Sequence, residues 1–191
     1  EESIQSRENR EGRYNLHFHG VEYELQTYGY HQMENAALAL QSMEILQGLG
    51  FVFPSTRIKK GIETVRLKGR VEMLSKNPRV VLDGMHNMDA AQQLARFLQS
   101  HTPAPRSLVF AMMRDKRIGE VLKILNPCFE HIYLTSIPFA RAATVEELKL
   151  IFPSGIVVDD LEVACRMAHE SGDTVVVGGS FYLVGEVLKI L

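Results

Sequence analysis

Short apolar runs and helical patterns alternate along the chain from Val71 to its end, and this alternation limits the fold more than any other feature. The apolar runs occupy residues 80–82, 108–110, 132–134, 156–158 and 175–177. Each is almost continuously apolar, which predicts a strand covered on both faces, as in a parallel sheet. The segments 89–99, 118–125, 145–152, 161–169 and 181–191 have helical spacing. This order predicts an α/β fold over residues 66–191, with a Rossmann-like, mainly parallel sheet flanked by helices.

Local signals support these elements. Thr144 is followed three residues later by Glu147, which is the pattern of a capping box, and Ser180 can cap the last helix. Residues 71–74, followed by the turn at Asn77-Pro78, predict one antiparallel edge strand.

The first third of the chain has a different pattern. Residues 14–18 and 21–25 predict two strands around a turn at Gly20, and residues 32–49 predict a long helix that is apolar nearly all round. Such a helix is expected to be buried by neighbours on every side, and too little sequence precedes it to supply them. We therefore expect residues 1–65 to be the α+β tail of another domain, in a chain that begins inside a longer protein.

Composition excludes several classes of function. The formal net charge of -2, without a basic cluster, gives no reason to expect a nucleic-acid partner. No apolar run approaches the roughly 20 residues of a membrane span. Cys128 and Cys165 are far apart and lack a CxxC pattern, which favours reduced thiols in a cytoplasmic protein. His17 and His19 share one strand face without a third ligand, so no metal site is expected.

The sequence contains neither GxxxxGK(S/T) nor a GxGxxG that follows a strand. Gly178-Gly179-Ser180 does follow a strand and open a helix, so its backbone N–H groups could meet an anion. A tight turn is the stronger interpretation of these two glycines.

The strongest local motif is Val81-Leu82-Asp83-Gly84-Met85-His86-Asn87, at the carboxyl end of a predicted parallel strand. Ligands of open parallel sheets bind beyond these strand ends. Asp83 there could accept hydrogen bonds from ribose hydroxyls, and His86 could face a base or a phosphate. The alternative is that Asp83 caps the following helix and Asn87 shapes the loop.

Two further polar residues stand out. Asn35 lies on the first turn of the apolar helix, where its amide offers the donor and acceptor that an adenine edge requires; it could equally bond a neighbouring loop. Arg70, in Lys68-Gly69-Arg70, could clamp a phosphate, or form an interdomain salt bridge with a carboxylate.

Together these motifs carry a resemblance. The patterns Gly-x-His-Gln-x-x-Asn-Ala, Gly-Arg-x-Glu and Leu-Asp-Gly-x-His-Asn occur in this order and are followed by Met113-Arg114-Asp115-Lys116, Arg141-Ala142 and Gly-Ser-Phe-Tyr-Leu-Val-Gly-Glu-Val at 179–187. From about Leu25 onward, the chain resembles the folylpolyglutamate synthases and their bifunctional dihydrofolate synthase relatives, within the Mur ligase superfamily. The last motif favours this branch over the Mur peptidoglycan ligases.

The resemblance implies an ATP-dependent ligase that adds L-glutamate to the γ-carboxylate of a folate through an acyl phosphate, and that can also act as a dihydrofolate synthase on dihydropteroate. ATP with Mg²⁺ is implied, and residues 1–65 would be the carboxyl-terminal remnant of the central ATP-binding domain. Asn35 would contact adenine, Arg70 the phosphates and Asp83 the ribose, with His86 beside the nucleotide. On the substrate side, Lys116, Arg141 and Ser180 are candidates, although simple surface solvation also explains the two cations.

The P-loop, the Mg²⁺ ligands and the folate pocket of such ligases have no counterpart in this sequence, so no catalytic residue is assigned to it. The chain is expected to contribute nucleotide contacts, to be inactive alone and to be monomeric. Two alternatives stay open, namely a non-catalytic Rossmann-like nucleotide-binding module and the carboxyl-terminal domain of a Mur peptidoglycan ligase.

Overall fold

A computed structural model of the chain describes residues 4–9, 12–76 and 78–190. The chain divides into two compact units, Glu1–Leu67 and Lys68–Leu191. The assignment of residues 1–65 to the tail of another domain stays a prediction. Among the described residues, none of the helices combines the length and the hydropathy that crossing a bilayer requires.

The first unit is a small antiparallel sheet with two helices. Its elements are β1 (Gln5–Glu8), β2 (Arg13–Phe18), β3 (Val21–Tyr28), α1 (Tyr30–Gly48) and α2 (Ser55–Thr64), and the strand order is β1-β2-β3. The predicted hairpin at Gly20 is present. His19, with φ 47°, and Gly20, with φ 74°, both adopt the left-handed conformation that a two-residue hairpin turn needs.

The core of this unit lies between the sheet and one stripe of α1. Its buried residues are Leu16, Phe18, Tyr23, Leu25, Met33, Ala37 and Leu40. α1 is not buried on every side within this unit, since Leu38 and Ile45 are each 63% exposed, which agrees with the expectation that this part of the chain is too short to cover the helix. Short strands cover only one side of a helix of 19 residues.

Two elements of the first unit have no clear sequence signal. β1 consists of polar, exposed residues, and its pairing with β2 depends on backbone hydrogen bonds rather than on an apolar face. α2 has Ile58 and Ile62, one turn apart, as the apolar residues that pack on the core. These patterns are too short to distinguish a strand or a helix from a loop.

The second unit is the predicted α/β domain. Its elements are β4 (Glu72–Lys76), β5 (Arg79–Asp83), α3 (Met88–His101), β6 (Arg106–Phe110), α4 (Ile118–Leu125), β7 (His131–Leu134), α5 (Val145–Ile151), β8 (Ile156–Val157), α6 (Leu161–Glu170), β9 (Thr174–Gly178) and α7 (Phe181–Ile190). The sheet order is β4-β5-β9-β6-β7-β8, with β4 antiparallel and the other strands parallel. The Rossmann-like prediction and its antiparallel edge strand are confirmed. Asn77, in the predicted Asn77-Pro78 turn, lies outside the described residues.

Helices cover both faces of this sheet. On one face, Ala164 and Ala168 of α6 and Leu183, Val184 and Val187 of α7 pack against strand residues. Those strand residues are Leu82, Val109, Tyr133, Val175 and Val177. Their neighbours along the strands, including Val81, Leu108, Phe110 and Val176, are fully buried as well, so they face the opposite layer. Burial on both faces explains the continuous apolar runs.

β8 departs from the prediction. Residues 156–158 were expected to form a strand covered on both faces, but β8 has only two residues, and Ile156 and Val157 are 37% and 43% exposed. β8 is the edge strand of the sheet and pairs with β7 alone. An apolar run by itself does not distinguish an edge strand from a central one.

Candidate functional site

The strand order brings three loops to one place. β9, the last strand in the sequence, lies between β5 and β6, and in the register of the sheet Asp83 and Phe110 both pair with Gly178. The loops that follow these strands therefore begin side by side at the carboxyl edge of the sheet. This edge is where ligands of open parallel sheets bind.

Asp83, the last residue of β5, binds the backbone on two sides. Its Oδ2 accepts a hydrogen bond from Val71 N–H and its Oδ1 accepts one from Met85 N–H, each at 2.8 Å. Asp83 is 5% exposed. Burial raises the pKa of Asp83 to about 6, and the two backbone N–H donors and the charges of Arg70 and His86 only partly oppose that rise.

The turn at residues 69–71 is held in an unusual conformation. Gly69 has φ 64°, and Val71, a buried β-branched residue, has φ 47°. Besides the bond to Asp83, Gly69 N–H donates to Glu72 Oε2 at 2.8 Å, and Gly84 N–H donates to the Gly69 carbonyl at 2.7 Å. A valine in the left-handed region is strained, so these bonds are needed to keep the turn in place. Arg70 is the middle residue of this turn.

The ring of Phe181, at the start of α7, connects the turn with the motif after β5. The guanidinium carbon of Arg70 lies 4.6 Å from the centre of the Phe181 ring, and the His86 ring centre lies 6.3 Å from it. A methyl group on Gly84 would come within 2.5 Å of the ring, and one on Gly69 within 3.3 Å. Both glycines therefore leave the space that Phe181 fills. Three motifs distant along the sequence meet at this residue.

His86 and Asn87 have separate local roles. The Nδ1 atom of His86 lies 3.0 Å from the Gly84 carbonyl oxygen, so it donates there and leaves Nε2 for another partner. Asn87 is the N-cap of α3, and its Oδ1 accepts from Ala90 N–H at 2.8 Å. The alternative interpretation of the sequence made Asp83 the helix cap and Asn87 the residue that shapes the loop. The structure shows the reverse, since Asn87 caps the helix and Asp83 holds the loop. Asn87 directly precedes the first residue of α3, so its side chain is close enough to bind a backbone N–H of the first turn, whereas Asp83 is four residues further away in the sequence.

The Gly179-Ser180 segment makes a tight turn. Gly179 has φ 118°, and a Cβ atom there would lie 2.5 Å from the Ala111 carbonyl oxygen, so no other residue fits. The Ser180 hydroxyl accepts from Leu183 N–H at 3.1 Å, as expected for a helix cap, and Ser180 is 3% exposed. The predicted cap is present, and the substrate-side role of Ser180 stays a prediction.

Lys116 and Arg141, the predicted substrate-side cations, share one carboxylate. Both lie 3.3 Å from an oxygen of Asp115, and their charges and hydrogen bonds, that of Lys116 first, lower the pKa of Asp115. The pairing brings residues from the loops after β6 and β7 together, and a backbone bridge between Met113 and Ala142 fixes the two loops. Both cations keep exposed surface, since their side chains are 35% and 64% exposed.

Asn35 lies in the first compact unit. It is exposed, and its Nδ2 donates to Gln32 Oε1 at 3.4 Å, one turn earlier on α1. Its amide therefore has a partner within the same helix, and its contact with adenine stays a prediction. Arg70, Asp83 and His86, in contrast, are brought together within the second unit.

Comparison with known proteins identifies the family. Residues 69–181, more than half of the 191-residue chain, match the family described as Mur ligase, glutamate ligase domain. The chain belongs to this Mur ligase family. The Escherichia coli (strain K12) dihydrofolate synthase/folylpolyglutamate synthase is 32% identical over 161 residues, which are 82% of this chain and 37% of that protein.

Solved structures of Mur ligase relatives show the same fold. The Mycobacterium tuberculosis folylpolyglutamate synthase complexed with ADP and AMPPCP matches with a TM-score of 0.84 and 25% identity over 97% of this chain and 46% of that one. A bifunctional folylpolyglutamate synthase/dihydrofolate synthase with Mn, AMPPNP and L-glutamate bound matches with a TM-score of 0.76 and 25% identity. The match covers 93% of this chain and 44% of that one. The chain spans less than half the length of these relatives.

The Mur ligase match covers six of the seven predicted site residues, and Asn35 lies before it. Sequence reasoning missed the role of Phe181, although an aromatic residue directly after Gly-Gly-Ser is a usable signal. It also assigned no role to Arg114, a residue of the Met113–Lys116 motif. The guanidinium of Arg114 donates to both carboxylate oxygens of Glu147 at 3.1–3.3 Å and to the Ala142 carbonyl at 3.3 Å. Glu147 was expected only as part of the capping box, which is present.

Proposed function

We propose that this chain is part of an ATP-dependent ligase that adds L-glutamate to the γ-carboxylate of a folate, as the names of its relatives indicate. The observation that carries the proposal is the meeting of Arg70, Asp83 and His86 at the carboxyl edge of the sheet. A cation, a carboxylate and an imidazole at this edge match the charge and hydrogen-bonding groups of a nucleotide.

The proposed roles follow from the free hydrogen-bonding capacity of each group. Arg70 binds the phosphates, because its guanidinium has no hydrogen bond or ion pair among the described residues. His86 approaches the nucleotide with Nε2. Asp83 accepts from ribose hydroxyls with the lone pairs that its two backbone donors leave open, in addition to holding the loop. Asn35 contacts adenine with its exposed amide.

On the other side of the edge, Lys116 and Arg141 face the incoming glutamate. Their shared partner Asp115 holds both cations in one place, and two cations can bind the carboxylates of an amino-acid substrate. The relative solved with L-glutamate bound supports a glutamate site in this family. Ser180, at the start of α7, accepts a bond from Leu183 N–H, and its O–H can still donate to a substrate.

In the proposed reaction, the γ-carboxylate of the folate attacks the terminal phosphorus of ATP, the bond to the bridging oxygen breaks, and ADP leaves as the acyl phosphate forms. The amine of glutamate then displaces phosphate from this intermediate and forms the amide. Positioning and charge stabilisation account for most of such catalysis. This chain contributes by binding the phosphates and by excluding water from them.

Mg²⁺ is the metal proposed to accompany ATP, and relatives are solved with Mn. Within the described residues, no group of three or more His, Cys, Asp or Glu side chains could hold a metal ion, so no ligand to Mg²⁺ is assigned there. Because the sequence also lacks the P-loop pattern, we propose that the chain alone does not turn over ATP. We further propose that it works as a monomer in the cytoplasm, on small-molecule substrates and without nucleic acid.

The test is an assay of ATP-dependent glutamate addition by the full-length protein, with folate, dihydropteroate and a muramyl substrate in parallel. Folate or dihydropteroate should be used and the muramyl substrate should not. Arg70→Ala should raise the KM for ATP about tenfold to a hundredfold, which is the change expected from the loss of one charged hydrogen bond. Arg96→Ala, on the exposed side of α3, is the control and should leave that KM unchanged. Use of the muramyl substrate alone, or an unchanged ATP dependence in Arg70→Ala, would refute the proposal.

A further inference from the structure

Arg70 differs from the other arginines that contact the second unit's loops. Arg114 donates to Glu147, and Arg106 donates to the hydroxyl and the carbonyl oxygen of Thr102. The guanidinium of Arg70 has neither a hydrogen bond nor an ion pair with any described residue. The guanidinium lies instead over the face of the Phe181 ring. The donors of Arg70 are therefore free for a ligand, while its position is set by an aromatic ring.

We infer that Phe181 is a positioning residue that holds the Arg70 guanidinium in the orientation in which it meets a phosphate, an inference that rests on the proposed function. A ring 4.6 Å from the guanidinium carbon restricts the cation without occupying its N–H donors, which point outward in the plane of the group. A carboxylate in the same place would hold the cation but would also occupy the donors.

The ring itself is held in place. Gly84 and Gly69 lie against it, so closely that a methyl group at Gly84 would overlap it at 2.5 Å. Ser180, the residue before it, is fixed by its bond to Leu183 N–H. Phe181 is nevertheless 40% exposed, which is unusual for a phenylalanine whose only function is to fill a core. The geometry fits a ring that is presented to a second group and is not packed away.

The backbone of Arg70 is fixed independently of the ring. Asp83, Glu72 and Gly84 bind the residues on either side of it. Loss of the ring should therefore leave the turn intact and release only the side chain. This separation lets an experiment isolate the contribution of Phe181.

The experiment is a double-mutant cycle in the full-length protein, with Phe181→Leu, Arg70→Ala and both together, read as the KM for ATP and kcat. Phe181→Leu should raise the KM about three- to tenfold, the size of a cation–π contact that is partly shielded from water. It should have no further effect in the Arg70→Ala background, because there is no guanidinium left to position. Phe181→Tyr keeps the ring and should restore the KM.

Tyr182→Ala is the matched control. Tyr182 is the next residue of α7, is 49% exposed and stacks on Phe139 at 4.0 Å instead of on Arg70. It should leave the KM for ATP unchanged. Thermal unfolding of each variant checks that the fold is intact.

The outcomes separate the two proposals. If Arg70→Ala raises the KM and Phe181→Leu does not, or if Phe181→Leu has the same effect with and without Arg70, the positioning role is refuted and the nucleotide site stands. If Arg70→Ala leaves the ATP dependence unchanged, the proposed function is refuted, and the positioning role with it.

Discussion

The carboxylate of Asp83 accepts a 2.8 Å hydrogen bond from the backbone N–H of Val71, a valine in the left-handed conformation. The end of a parallel strand thereby holds the turn that carries Arg70. A buried carboxylate is costly when it is charged, and this one has N–H donors on both oxygens as partial compensation. Asp83 thus links the stability of the domain to the geometry of its candidate site.

Asp83 should make the stability of the domain depend on pH. Its pKa is about 6 in the folded chain against 3.8 for the ordinary side chain, because burial disfavours the charged form. The folded chain therefore binds the proton more tightly than the unfolded chain. The resulting stability is complete below pH about 4 and is lost as the pH rises to about 6, by up to about 3 kcal/mol.

The measurement is urea unfolding of the chain and of Asp83→Asn between pH 4 and pH 7. The asparagine variant does not titrate, so the difference between the two free energies of unfolding should fall across this range, while the contributions of other carboxylates cancel. The ¹³C signal of the Asp83 carboxyl group should titrate near pH 6. A difference that stays constant with pH, with a titration near pH 4, would contradict the prediction.

Asn87 should act on stability and not on nucleotide use. It caps α3 through its bond to Ala90 N–H, so Asn87→Ala should lower the free energy of unfolding by about 1 kcal/mol. Asn87→Ser keeps a capping oxygen and should retain most of the stability. Urea unfolding measures the effect, and the KM for ATP should be the same in both variants. A raised KM in Asn87→Ser would show that the side chain also contacts the ligand.

Gly84→Ala should displace Phe181 while leaving it in the sequence. The added methyl group would lie 2.5 Å from the ring, and the partly exposed ring can swing toward solvent. We expect the KM for ATP to rise as far as in Phe181→Leu, and Gly84→Ala to add little when both changes are combined. Enzyme kinetics of the full-length protein measure this.

Gly185→Ala is the matched control for that glycine. Gly185 lies within α7, and a Cβ atom added to it would meet nothing within 4 Å. Alanine should therefore raise the free energy of unfolding by about 0.5–1 kcal/mol through helix propensity and should leave the KM for ATP unchanged. If Gly84→Ala leaves the KM for ATP unchanged, as Gly185→Ala should, the Phe181 ring does not occupy the space beside Gly84.

Lys116 and Arg141 should act on glutamate rather than on ATP. Lys116→Ala or Arg141→Ala removes one cation from the pair held by Asp115. The KM for glutamate should rise about tenfold or more, as for the loss of one charged hydrogen bond, and the KM for ATP should not change. Arg117→Ala is the control, because Arg117 is 68% exposed and pairs with Glu120. Equal effects on both substrates would refute a glutamate-side role.

Much of the second unit could be predicted from the sequence, and the reason is physical. A strand buried on both faces must be apolar throughout, so Val80–Leu82 and its counterparts stand out as runs. Thr144 and Ser180 mark helix starts through bonds made within one turn. These signals are local. The candidate positions Arg70, Asp83 and His86 could likewise be selected, because polar residues at strand ends and junctions are conspicuous beside apolar runs.

The sequence by itself determined the alternation of strands and helices, the class of the fold and the family to which the chain belongs, because each depends on residues close together or on a motif. Only the tertiary structure decided that β9 inserts between β5 and β6, that β8 is an exposed edge, and that Asp83 holds a turn while Asn87 caps a helix. It alone placed Phe181 against Arg70 and Gly84. Contacts between segments this distant depend on how the strands are ordered, and no local pattern of side chains encodes that order.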